Sequence, residues 1–217
     1  MKKILSILLI TGLFVAAPCW GTSTQKSAGA AAEGSGYASY STWTGLSYIY
    51  STDDSYAVSP FISYSMTRPL LASSFGFTIP TGATIDGIEV NIEANENNAA
   101  ADVYAATVML MKETDTPIGS NYWSASELPT SDSTRTYGST TDKWGTSWTA
   151  TEINASTFGV YLMYHGENIY QVDVDWIFVT VYYTAYAGWT GKAIGVTNPS
   201  KLIGIDKTGV TKFIGDY

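Results

Sequence analysis

The sequence has very little cysteine and few positive charges. Its one cysteine, Cys19, lies in the apolar amino-terminal segment, so the rest of the chain has neither a disulfide framework nor a cysteine-based zinc site. Eleven Lys and Arg face nineteen Asp and Glu, which gives a net charge of −8. Affinity for nucleic acid comes largely from Lys and Arg on phosphates. The charge balance therefore disfavours nucleic acid as a partner.

Histidine is also nearly absent, and this limits hydrolytic chemistry. His165 is the only histidine, and no Gly-x-Ser-x-Gly elbow accompanies it, so a Ser-His-Asp arrangement is disfavoured against an ordinary polar residue. Asp173 and Asp175 lie about 7 Å apart by strand rise, near the carboxylate separation of inverting glycosidases. Any strand with one face in water has this spacing, however. The aspartates in the turns lack the spacing of a known calcium loop. We predict no enzyme activity, no cofactor and no metal site.

No apolar run is long enough to span a membrane. The longest, residues 4–17, follows Met1-Lys2-Lys3, and residues 1–21 are predicted to be a secretory signal peptide. Cleavage after Gly21 is predicted, and Ala17 is a competing position. Nine basic residues then remain against nineteen acidic ones, so the mature chain carries −10. We expect it to be secreted, either extracellular or on the cell surface, without a membrane span.

Alternation of apolar and polar residues is abundant, and no window has the period of a long amphipathic helix. It is clearest from Ile88 to Ala94, as in a strand with one face on a core and one in water. Near Gly87 the alternation of apolar and polar residues is interrupted, because Ile85 and Ile88 are three residues apart. This interruption predicts a β-bulge. Further strands are predicted at residues 103–111, 158–164 and 169–183.

These patterns predict an all-β fold: a single antiparallel β-sandwich of jelly-roll type. Residues 22–36, mostly Ala, Gly and Ser, are predicted to be a flexible leader. The sandwich domain is predicted over residues 37–184, with a short repetitive extension over residues 185–217. Within the domain, Thr149 and Glu152 predict a capping box that opens a brief helical turn.

The least regular stretch, residues 121–148, is rich in aromatic residues. Indole and phenol rings stack on sugar rings, so a lectin-like carbohydrate-binding module is an alternative function, with a surface glycan as partner. We expect Trp144 and Trp148 to close the end of the sandwich instead. The candidate ligand-binding residues are Trp123, Tyr137 and Trp189.

The extension repeats a short motif and reverses the sign of the charge. Lys-apolar-Ile-Gly units begin at Lys192, Lys201 and Lys212, and residues 185–217 carry +2 whereas residues 22–184 carry −12. Units this short cannot bury a core alone. They either pack on their own sandwich or pair with another copy or a surface by strand addition, which the opposite charges favour. The candidate assembly residues are Lys192, Ile194, Lys201, Ile203, Lys212 and Ile214.

Turn glycines and strand ends follow one another in a characteristic order. The segments are Trp43, residues 51–57, 75–77, 79–80, 82–88, 144–145, 148–149, 158–160, 172–173 and 179–183. Together they resemble a β-sandwich domain of phage tail and capsid-associated proteins and of secreted bacterial surface proteins. Residues 195–201, Gly-Val-Thr-Asn-Pro-Ser-Lys, look like repeats that often follow such domains.

The resemblance implies a fold more than an activity, because its motifs are structural and include no catalytic residue. Virion proteins do not normally carry an export signal, so a bacterial surface or extracellular structure is favoured over a phage particle. We therefore predict a non-catalytic exported structural protein of the cell surface or of an extracellular appendage or filament. It would act through self-association, as a homo-oligomer or filament, or through attachment.

Overall fold

The structure is a computed structural model that describes residues 21–35, 39–60, 65–97, 103–166 and 171–185, and the backbone of four residue pairs between 192 and 206. Contacts divide the chain into a body, Trp20–Tyr186, and a second unit that contains Met1–Cys19 and Ala187–Tyr217. The body is built of antiparallel β-sheets with one short α-helix. The prediction of an all-β fold is confirmed.

The body has two sheets. The first contains β1 (Gly21–Ser27), β3 (Ala57–Pro60), β6 (Thr84–Glu96), β9 (Ser133–Ser139) and β11 (Gln171–Thr184). The second contains β2 (Ala30–Glu33), β4 (Ser65–Met66), β5 (Leu70–Ser73), β7 (Val103–Glu113), β8 (Thr116–Ile118) and β10 (Gly159–Gly166). The first sheet has the order β1-β11-β6-β9. Strand β3 pairs with β11 on the same side as β1, but at the opposite end of β11. The second has the order β2-β5-β10-β7-β8, with β4 beside β10.

Strand β6 and its long pairing with β11 organise the first sheet. Ile88, Val90 and Ile92 are almost fully buried, as their alternation predicts, and each packs in the core. The register shifts between Tyr182 and Tyr183, opposite Gly87, which confirms the predicted bulge. A Cβ atom at Gly87 would overlap the backbone of Thr140. Only glycine therefore allows the chain to approach the strand so closely at this point.

One buried cluster takes side chains from both sheets. It includes the alternate apolar residues of β6 and β11 and, from the second sheet, Leu70, Val108, Leu110 and Leu162. Burial of each such side chain contributes about 1.5–3 kcal/mol. The second sheet buries a smaller apolar cluster on its other face, made of Leu71, Met111, Tyr161 and Met163.

The amino-terminal leader is a correction to the sequence-based expectation. Within residues 22–36, predicted to be flexible, residues 22–27 belong to β1, which pairs with β11, and residues 30–33 form β2, which pairs with β5. Their side chains are mostly exposed, so no apolar alternation announces these strands. Pairing at a sheet edge needs backbone hydrogen bonds rather than buried side chains. The described strands therefore include residues from Gly21 onward, well before residue 37.

The stretch 121–148 is more ordered than its composition suggests. It contains β9, which pairs with β6 from Ser133 to Ser139, and it precedes the helix α1 (Ala150–Asn154). The predicted capping box is confirmed: Thr149 and Glu152 exchange hydrogen bonds between side chain and backbone. A 3₁₀ helix spans Leu46–Ile49.

The described part of the second unit consists of two short hairpins. β12 (Lys192–Ala193) pairs with β13 (Val196–Thr197), and β14 (Lys201–Leu202) pairs with β15 (Ile205–Asp206). Lys192 and Lys201 hold the same register position, so the nine-residue sequence repeat is also a structural repeat.

Candidate functional site

The structure describes two of the three sequence-predicted ligand residues, and only one of the two is accessible. Trp123 is 63 % exposed, the most open large aromatic side chain among the described residues. Tyr137, in contrast, is 8 % exposed and packs in the core, where burial raises the pKa of its hydroxyl. Its ring therefore has no open face for a ligand. Trp189 lies outside the described residues.

Trp144 and Trp148 are both buried, as predicted. Tyr122 packs edge-on against Trp144, with ring centroids 4.6 Å apart. The Tyr122 hydroxyl donates a hydrogen bond to Asp142, which raises the pKa of the tyrosine to about 12. Lys112 lies over the Trp148 ring, 5.0 Å from its centroid, and forms an ion pair with Glu152. These aromatics hold the loop on the sheets and are not free for binding.

A different aromatic surface lies on the first sheet, on the side opposite the core. Trp176, Phe178 and Tyr182 of β11 point to this side, because Ile177, Val179 and Val181 between them are core residues. All three are half-buried. We call the surface formed by these three residues the aromatic face. The polar residues beside it in the strand register are Glu89, Asn91 and Glu93 of β6, Thr134 and Thr136 of β9, and Gln25 and Ser27 of β1.

Hydrogen bonds fix the side chains of the aromatic face. The indole Nε1 of Trp176 donates to Ser27 Oγ at 2.9 Å, and the indole packs against Phe178 with centroids 4.0 Å apart and the ring planes tilted by 31°. The Tyr182 hydroxyl donates to Glu89 Oε2 at 2.8 Å, which raises the pKa of the tyrosine. The rings are thus held in place before any ligand arrives.

A group of carboxylates lies at one end of this sheet. Asp132 accepts hydrogen bonds from the Tyr56 hydroxyl at 2.7 Å and from Asn95 Nδ2 at 2.6 Å. Burial raises the pKa values of Asp173 and Asp175, and the charge of Asp132 adds to both shifts. Asp175 sits at a register shift of β11 and is fully buried, with Oδ2 left without a partner among the described residues.

This arrangement does not suit a glycosidase. Both carboxylates of such an enzyme must reach the scissile bond, yet Asp175 is inaccessible and Asp173 Oδ1 accepts a hydrogen bond from Gln171 Nε2. Within the described ranges, no group of three or more His, Cys, Asp or Glu side chains could hold a metal ion.

His165 has no catalytic surroundings in the described part of the chain. Its ring packs on Tyr104 with centroids 5.0 Å apart, and its Nδ1 is buried without a hydrogen-bond partner there. No serine or aspartate is bonded to it among these residues, so nothing would orient it as a base.

A shallow groove of about 420 Å³ opens where the strand start at Thr84 meets the segment before α1. Trp148 lines it with Lys143, Ser147 and Thr151. Its volume is in the range of small-ligand pockets, although most of the Trp148 ring is already covered.

The predicted assembly residues are only partly described. Lys192 and Lys201 begin the two hairpins of the second unit. Ile194, Ile203, Lys212 and Ile214 lie outside the described residues. No helix in the described ranges is both long enough and apolar enough to cross a membrane.

Comparison with known proteins gives no assignment. No family model matches the chain, and no curated protein or solved structure is significantly similar to it. Function must therefore be argued from the surfaces themselves.

The aromatic face is the surface that reasoning from sequence missed. The signal was present, because residues 177–183 are apolar on both faces of the strand while the first half of β11 alternates. Aromatic residues on the non-core side of a strand have to be explained by packing or by binding. Some of the polar residues beside them come from β1 and β9, which the sequence pattern did not identify as strands.

Proposed function

We propose that this chain is a non-catalytic, exported structural protein of the cell surface or of an extracellular appendage, which acts through self-association or attachment. The body is proposed to be a jelly-roll sandwich. Its strand order supports this: if β3 and β5 to β11 are numbered one to eight, the first sheet reads 1-8-3-6 and the second 2-7-4-5. Two sheets wound in that order are the jelly-roll arrangement.

The observation that carries the proposal is the pair of repeated hairpins. Each consists of two residue pairs, and isolated two-stranded hairpins are marginal even when longer. They gain stability by adding to further strands, and a second copy of the chain offers a matching set. The opposite charges of residues 22–184 and 185–217 favour contact between copies.

Sedimentation velocity on the mature chain over a range of concentrations tests the proposal. We expect concentration-dependent association of the chain from Thr22, and a monomer when it ends at residue 185. A chain in which residues 186–217 are replaced by a Gly/Ser segment of equal length is the matched control, and it should also be monomeric. A full-length chain that stays monomeric at high concentration contradicts the proposal.

Carbohydrate binding is the second candidate, and the exposure of Trp123 favours it. An indole that is 63 % exposed offers an apolar face to the C–H surface of a sugar ring. A glycan array probed with the mature chain and with Trp123→Ala tests this role. Binding that is lost in the variant supports it, and the absence of binding by the wild-type chain contradicts it.

A further inference from the structure

We infer that the aromatic face binds an extended, uncharged polysaccharide, with Trp176 and Phe178 contacting sugar rings and Glu89 and Glu93 binding hydroxyl groups. The inference rests on the carbohydrate-binding candidate above but assigns the site to other residues. It thereby names both a binding surface and the class of ligand.

The rings supply the apolar part of the site. Phe178 covers one side of the Trp176 indole, and the hydrogen bond to Ser27 fixes the indole across the strands. Aromatic rings held in this way lose little conformational entropy when a sugar packs on them. Tyr182, further along the strand, extends the apolar contact and keeps a hydroxyl beside Glu89.

Polar groups lie beside the rings in register. Asn91 pairs with Phe178, and Glu93 pairs with Trp176. Asn91 is only 8 % exposed, and its Oδ1 accepts a hydrogen bond from the exposed Thr136 hydroxyl at 2.6 Å, so it supports the face from beneath. Carboxylate acceptors next to aromatic rings match the alternating hydroxyl and C–H surfaces of a sugar.

Charge disfavours a polyanionic ligand. Glu89 and Glu93 lie on the face. The two cations of its four strands are Lys26 and Arg135. In the strand register they lie opposite the core-facing residues Val179 and Ile92, and therefore not on the aromatic face. Arg135 donates to the carbonyl oxygens of Ser126 and Glu127 instead. A polyanionic glycan would therefore meet like charges without compensation.

The dimensions suit a chain rather than a single sugar. From Trp176 to Tyr182 the strand rises about 20 Å, and four strands are about 14 Å across. The other face of the second sheet provides a contrast, because its apolar residues Leu71, Met111, Tyr161 and Met163 are buried. Only the first sheet combines accessible aromatic rings with polar neighbours among the described residues.

Affinity electrophoresis in gels that contain soluble neutral glucan, mannan, xylan or galactan tests the inference, with alginate and polygalacturonate as polyanionic probes. The mature full chain should be retarded by at least one neutral polymer and by neither polyanion. Trp176→Ala should weaken retardation about tenfold, as expected for loss of one stacking contact of about 1.4 kcal/mol. Tyr48→Ala, which removes an exposed ring that lies outside the aromatic face, should leave it unchanged.

A second variant covers the case in which Trp176→Ala does not fold. Thr136→Arg places a bulky side chain on the aromatic face from an exposed position, and Thr116→Arg on β8 is its matched control. Retardation should be lost in the first and kept in the second. If Trp123→Ala abolishes retardation while the variants of the face retain it, the carbohydrate function stands and this site is overturned. If no neutral polymer retards the wild-type chain, or only polyanions do, both are overturned.

Discussion

The indole Nε1 of Trp144 donates a hydrogen bond to the carbonyl oxygen of Ile88 at 2.9 Å, across 56 residues of sequence. Both residues are fully buried. The bond ties the segment before α1 to the central strand β6, so that a stretch without regular alternation becomes part of the core.

Trp144→Phe should destabilise the body by about 2–4 kcal/mol, because it removes this donor from a buried carbonyl and leaves a cavity. Urea denaturation at neutral pH measures the change in the free energy of unfolding. Trp123→Phe is the matched control, and its effect should lie within about 0.5 kcal/mol because Trp123 is exposed. Equal effects of the two substitutions would contradict the assigned role of Trp144.

Gly138→Ala should be strongly destabilising. Gly138 has a φ of +82°, and an added Cβ would overlap Ile88 O and come within 2.7 Å of Trp144 Nε1. Gly76→Ala separates the two causes, because Gly76 has a φ of +68° with open space around its Cβ position. We expect about 1–2 kcal/mol for Gly76→Ala from the left-handed backbone alone and a clearly larger loss for Gly138→Ala. Thermal unfolding of both variants checks the order.

Asp175→Asn should stabilise the protein at pH 7. Burial raises the pKa of Asp175, and the charges of Asp132 and Asp53 act in the same direction. The folded state therefore disfavours the ionised form of this carboxyl. As the pH rises from the unfolded-state pKa, about 3.9, through the raised folded-state pKa, the free energy of unfolding decreases. In the wild-type chain the backbone N–H of Asp53 donates a hydrogen bond to Asp175 Oδ1 at 3.4 Å. The asparagine side chain keeps an oxygen that can accept this bond. The gain should disappear at pH 3.

Unfolding curves of the wild-type chain and the variant at pH 7 and pH 3 measure this difference. Glu152→Gln is the control of opposite sign, because hydrogen bonds from Lys112 and Thr149 lower the pKa of Glu152. It should give no gain at pH 7. A stabilisation by Asp175→Asn that is equal at both pH values would rule out titration as its cause.

Thr149→Ala should cost about 1 kcal/mol, the usual value for the loss of an N-cap side chain. The Thr149 hydroxyl accepts from the Glu152 backbone at 3.2 Å, and Glu152 also pairs with Lys112. Thr151→Ala, two residues after the cap in the same turn and exposed, should be neutral or slightly stabilising because alanine favours helix. A thermal shift assay compares the two, and equal melting temperatures would contradict the role of the cap.

Sequence reasoning found the elements whose side chains are buried on a regular period. The alternation from Ile88 to Ala94, the parity break at Gly87 and the cap at Thr149 were all readable because each follows from local chemistry. The central strands β6, β7, β10 and β11 were therefore anticipated close to their observed bounds.

Strands held by backbone pairing alone were missed. β1 has mostly exposed side chains, and in β9 only Tyr137 is buried, so neither has an apolar period to detect. The aromatic face depends on both strands, since Ser27 and Thr136 hold Trp176 and Asn91 in place. Its composition could not be assembled from sequence before the sheet order was known.

The pairing of Gly21 with Thr184 has a consequence for engineering the body. Because these positions are adjacent across a ladder, a short linker could join them and new ends could be opened in an exposed loop such as the turn at Thr81-Gly82. Such a circular permutant would keep every strand pair of the two sheets. A segment fused to its new ends would leave the body at the Thr81-Gly82 turn instead of at the native ends beside Gly21 and Thr184.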